Sequence, residues 1–83
     1  MIKPMPKPLA RQFNFPVVIE SDKNGYFAFC PELQGCYTQG ETYEEALANI
    51  QDAVRLHLKD RIKENEEIFQ TKNVSLSTVQ ITL

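Results

Sequence analysis

The stretch FNFPVVIESDKNGYFAFC, residues 13–30, decides the fold of this 83-residue chain. Phe13, Phe15, Val17 and Ile19 alternate with Asn14, Pro16, Val18 and Glu20. Successive side chains of a strand point to opposite faces, so this period of two predicts a strand over 13–21 with one buried face. Pro16 has no amide proton to give to a ladder and suits a strand start or a sheet edge. Asp22-Lys23-Asn24-Gly25 is turn chemistry, with Asn24-Gly25 tolerant of positive φ. The aromatic run YFAFC, 26–30, reads as the returning strand of a β-hairpin.

Downstream, PELQG (31–35) breaks the strand, because Pro31 removes a donor and Gly35 permits a positive φ. CYTQG (36–40) is long enough for a short third strand bounded by Gly40. Thr42 then precedes Glu45 by three residues, the spacing of a capping box. In that box the Thr42 hydroxyl accepts from the Glu45 amide and the Glu45 carboxylate returns to the Thr42 amide. Glu44 and Glu45 also suit the positive end of a helix dipole. Ala46, Leu47, Ile50, Ala53, Val54, His57, Leu58 and Ile62 recur every three or four residues, which predicts one amphipathic helix running to about residue 65. STVQITL (77–83) alternates again, with Val79, Ile81 and Leu83 on one side, and reads as a final strand. The order β-β-β-α-β, with one apolar helix stripe, predicts an α+β two-layer sandwich: an antiparallel-rich sheet with one long helix on one face.

Upstream, Pro4, Pro6 and Pro8 stand at every second position. They predict an extended, flexible arm over 1–12 and a single domain over 13–83. A chain this short buries a marginal core, so self-association is expected. Net charge is −2, but the arm is basic, and residues 13–83 hold six Lys/Arg against eleven Asp/Glu, a net −5. Such a body repels nucleic-acid phosphates and attracts a basic protein. No apolar run reaches the ~20 residues of a membrane span. The first residues carry no apolar signal core, which predicts a cytoplasmic, reduced protein.

The residues that invite a catalytic or metal reading are few. Cys30 and Cys36 are spaced C-x₅-C, and with His57 they make three irregular soft ligands, short of a zinc set. Packing as buried free thiols accounts for them better. His57 has no partner to orient it as a base and reads as a border residue of the helix stripe. Glu20, Asp22, Glu32, Glu41 and Glu45 fall near strand ends and turns. Two-metal nuclease chemistry needs carboxylates that converge, whereas Asp22 serves the turn and Glu45 the cap. A solvated acidic surface explains them. On the helix, Asp60 with Lys63 and Lys63 with Glu67 are spaced for surface ion pairs.

The run FPVVIESDKNGYFAFCPELQGCYTQGETYEEALANIQDAV, 15–54, resembles the N-terminal domain of HicB-type antitoxins. The family signature falls on Pro31, Glu32, Leu33, Gly35, Cys36, Thr38, Gly40, Glu41, Thr42, Glu45 and Ala46. The resemblance implies a partial ribonuclease H-like sheet and helix without a catalytic carboxylate set, no cofactor, and no enzymatic activity. It implies a homo-oligomer, a dimer or tetramer, that binds and masks a small basic HicA-type toxin which cleaves messenger RNA. Many members continue into a DNA-binding module. Nothing here comes after the last strand, so no direct DNA binding is expected. Glu20, Asp22 and Glu32 are the candidate partner-binding residues. The alternatives are an orphan oligomerising regulator without a toxin, and a vestigial metal-dependent nuclease built on Glu20 and Asp22.

Overall fold

A computed structural model describes residues 11–70 and 73–83; the proline-rich segment 1–10 lies outside the described residues. Three strands and one helix succeed each other: β1 (Val18–Asp22), β2 (Gly25–Phe29), β3 (Tyr37–Gly40) and α1 (Tyr43–Lys63). The sheet is antiparallel in the order β1-β2-β3. The chain is thus an α+β fold in which a three-stranded antiparallel sheet packs against one long helix.

The hairpin forms where the sequence predicts it, with Val18 opposite Phe29 and Asp22 opposite Gly25. Its turn differs in detail. Lys23 and Asn24 make the two-residue turn, the Asp22 carboxylate accepts from the Asn24 amide at 2.7 Å, and the positive φ of 135° falls on Gly25 rather than on Asn24. Asp22 therefore holds the turn as an Asx motif, leaving the glycine to reverse the chain into β2. The strand expected over 13–21 begins only at Val18. Residues 13–17 pair with no strand, though Phe15 and Val17 still pack on the core from the same side as Ile19.

The loop from Cys30 to Cys36 closes on itself. The Cys30 amide donates to the Cys36 carbonyl, the Leu33 amide to Cys30, and the Cys36 amide to Leu33, at 3.0–3.2 Å. Gly35, at φ 79°, supplies the left-handed residue this reversal needs. Leu33 drops into the core between the two cysteines, which are buried and free. Gly40 bounds the third strand, as the sequence predicts. It ends β3, opposite Tyr26, and a β-carbon there would sit 2.6 Å from the Ala46 nitrogen. Only glycine lets the first helical turn lie this close to the sheet.

The Thr42 hydroxyl caps α1 by accepting from the Glu45 amide at 3.0 Å. The return half of the box is displaced by one residue, because the Glu45 carboxylate accepts from the Glu41 amide at 3.2 Å. Ala46, Ile50 and Leu58 are the buried positions of the helix stripe, with Ala53, Val54 and His57 half-buried and Leu47 and Ile62 exposed. Asn49 ties the helix to β3 by donating to the Gln39 carbonyl at 2.8 Å. The helix stops without glycine or proline. Asn65 takes φ 57°, its amide bonds the Ile62 carbonyl, and the Glu66 amide bonds the Arg61 carbonyl. This is a Schellman ending on asparagine. Glu67 thereby leaves the helix, so its spacing from Lys63 has no helical meaning. The ion pair seen on the helix face is Arg55 with Asp52, at 2.8 Å.

The core is Ala28, Cys30, Leu33, Cys36, Ala46 and Ile50. Helix α1 packs chiefly on β3, less on β2 and least on β1. The strand expected over 77–83 is not formed: residues 73–83 pair with no strand and all are exposed. A ladder needs a neighbouring edge, and this segment lies away from the one its own chain offers. The radius of gyration, 16.6 Å, exceeds the roughly 12 Å of a compact domain of this length.

Candidate functional site

Cross-strand neighbours share a face of the sheet, so the register sorts every side chain. Ile19, Ala28 and Thr38 form one row, and Ser21, Tyr26 and Gly40 another, on the side toward the helix. Val18, Phe29 and Tyr37 form a row on the opposite side, with Glu20, Phe27 and Gln39 beside it. That opposite side carries no covering layer among the described residues. Phe27 and Phe29 are each 37% exposed and Tyr37 is 75% exposed, whereas Ala28 between the two phenylalanines is 1% exposed. A shallow concavity of about 410 Å³ lies against Phe27, Tyr37, Thr38 and Gln39.

The inversion has a packing cause. The helix approaches the sheet so closely over Gly40 that the inner positions must be small, and Ala28, Cys30 and Cys36 fill them. Phe27 and Phe29 are left on the outside, while Tyr26 packs against the core on the helix side opposite Gly40. Contiguous exposed aromatic surface on a small domain marks an interaction site more often than a chemical one. The sequence pattern contained the signal, a small residue between two phenylalanines, but the hairpin reading did not say which face met the helix.

Of the acidic candidates, Glu20 stands directly opposite Phe27 and is exposed on the open face. Asp22 lies at the hairpin turn with its carboxylate engaged by the Asn24 amide. Glu32 sits in the loop at the other end of the hairpin and is half-buried. The three are spread along the hairpin rather than gathered. Among the described residues, no three His, Cys, Asp or Glu side chains stand close enough to hold a metal ion. Burial pushes the Cys36 thiol above its ordinary pKa, and the neighbouring Cys30 adds to the shift, so both causes disfavour a reactive thiolate. The signature residues serve structure: Gly35 and Gly40 the backbone, Cys36 and Ala46 the core, Thr42 and Glu45 the cap, and Pro31 the end of β2. Among the described residues no helix is long and apolar enough to cross a membrane.

Comparison with known proteins agrees on one family. Residues 15–81 match the model of the HicB-like antitoxin of bacterial toxin–antitoxin systems. A UPF0150 protein of Helicobacter pylori is 47% identical over 64 residues, covering 77% of this chain and 89% of its own. One from Thermoplasma acidophilum is 44% identical, covering 65% and 80%. Antitoxin HicB 2 of Photorhabdus laumondii is 37% identical over 55% of this chain and 33% of its own. No solved structure matches. With the family match spanning the sheet, the helix and most of the residues beyond the helix, the chain belongs to the HicB-like antitoxin family.

Proposed function

We propose that this protein is an antitoxin that binds a small basic HicA-type toxin and masks it, through protein contact and without catalysis of its own. The observation that carries the reading is the open sheet face, where Phe27, Phe29 and Tyr37 stand exposed beside Glu20. Rings supply the apolar centre of a protein contact, and carboxylates at its margin steer a basic partner. Glu20 lies within this face, and Asp22 and Glu32 flank it at the two ends of the hairpin. The net −5 of residues 13–83 adds long-range attraction for a cationic protein and disfavours direct DNA binding. The family assignment, residues 15–81, supports a toxin as the partner. The site of action is the cytoplasm, and the working unit is a homo-oligomer, since the three-stranded body leaves much apolar surface exposed.

The test is co-expression with the product of the adjacent gene. The expected outcome is a small basic protein, under roughly a hundred residues, that copurifies with this chain and arrests growth when this chain is withheld. A neighbour that neither binds nor harms the cell would sink the reading.

A further inference from the structure

We propose that residues 77–83 form a fourth strand on a second copy of this chain, along the outer edge of β1, and that two copies exchange these strands reciprocally. This deepens the self-association proposed above and rests on it.

The strand and its receptor are both present and both unused. Residues 77–83 have the period-two pattern of a strand with one apolar face, yet Val79 and Ile81 are 77% and 72% exposed. The whole segment 73–83, NVSLSTVQITL, has no charge, proline or glycine. Those are the devices that keep an unpaired strand from associating. A segment with this composition is stable in water only when paired.

The receptor arises from the offset of the helix. Because α1 packs chiefly on β3 and least on β1, the inner side of β1 is the least covered part of the sheet, with Ile19 only half-buried. β1 is also a terminal strand of the sheet, so its outer edge has no neighbour among the described residues. Beside it, between α1 and residues 13–17 that lead into β1, runs an apolar groove of about 340 Å³, lined among others by Phe15, Val17, Leu47, Ile50, Val54 and Leu58. None of residues 73–83 lines it. A strand added to β1 would place Val79, Ile81 and Leu83 in this groove and turn Thr78, Gln80 and Thr82 to the open face. Seven residues span roughly 23 Å, enough to cover the five of β1.

The second copy is the occupant because the exchange closes. The chain leaves the body beside the groove, where the Gln70 side chain accepts from the Asn14 amide at 2.7 Å, between Phe13 and Phe15. Each copy therefore sends its strand outward from the place where it also offers a receptor. A two-fold axis satisfies both pairs at once and leaves no open β1 edge on either copy.

The experiment combines light scattering with disulfide trapping on the full chain. Wild type is expected to be a dimer. Ile81→Asp is expected to weaken the dimer by about 100-fold or more, because two strands are disrupted per dimer. Thr82→Glu, on the other face of the strand, is expected to remain dimeric. Circular dichroism of both variants should retain the helix of the wild type. Mixing chains carrying Leu47→Cys with chains carrying Ile81→Cys should give a disulfide-linked heterodimer. A dimer that survives Ile81→Asp without cross-linking would overturn strand exchange and leave self-association standing on another surface. A cross-link confined to single chains carrying both substitutions would show the strand on its own β1 and overturn the exchange. Wild type that stays monomeric at all concentrations would overturn both readings.

Discussion

Gly40 and Ala46 meet backbone to backbone: a β-carbon on Gly40 would stand 2.6 Å from the Ala46 nitrogen. This contact sets the spacing between sheet and helix. Gly40→Ala forces the first turn of α1 off the sheet and should cost about 1–3 kcal/mol, the range for overpacking. Urea titration of the two proteins measures it. An unchanged midpoint would mean that the helix can lift without loss.

Thr42 caps the helix through its hydroxyl, and Thr42→Ala removes the acceptor for the Glu45 amide. The expected loss is about 1 kcal/mol. Thr42→Ser keeps the oxygen and should lie within a few tenths of a kcal/mol of wild type. Equal destabilisation by both substitutions would assign the effect to the lost methyl group instead.

On the open face, Phe29→Ala and Tyr37→Ala should separate binding from folding. Both side chains are partly or largely exposed, so the thermal midpoint should move by only a few degrees. Toxin affinity should fall tenfold or more if these rings are anchors, at about 1–2 kcal/mol each or above. Glu20→Lys should slow association, with the difference shrinking as salt is added. Calorimetry and stopped-flow binding across ionic strengths provide both readouts. Full toxin rescue by the double alanine variant would move the contact elsewhere.

The Cys36 thiol has its pKa raised above the ordinary 9.0 by burial and by Cys30. The folded state thus holds this proton more tightly than the unfolded chain does. The resulting stability is fully present below pH 9.0 and is lost as pH rises through the folded pKa. Stability should therefore be level near neutrality and decline above pH 9.0, and Cys36→Ser should flatten the decline. Iodoacetamide should label Cys36 at neutral pH only as fast as the domain opens.

Much of this fold was legible because its local signals agree. The turn at 22–25, the Thr42 cap and the spacing of Ala46, Ile50 and Leu58 each belong to a few adjacent residues, and each formed. What local pattern cannot give is a partner. The alternation over 13–17 and 77–83 is as regular as that of β1, but a ladder depends on where an edge lies, which is a property of the whole sheet. The same limit hid the open face. Phe27 and Phe29 alternate with Ala28 whichever side is covered, and only the approach of α1 over Gly40 decides which set is buried. The helix stops close to the expected residue 65, but the device that stops it was not legible, because asparagine is a weaker signal than glycine and its left-handed backbone appears only in three dimensions.

The helix is secured at one end. Thr42, Gly40, Ala46, Asn49 and Ile50 fix its first turns to β3, while Ile62 near the far end is exposed. Amide exchange along α1 should therefore run as a gradient, slowest around residues 46–50 and fastest approaching Lys63. Within the helix, a protease would therefore cut first in the last turns, where the chain comes loose most often, and last where Gly40 lets it lie against the sheet.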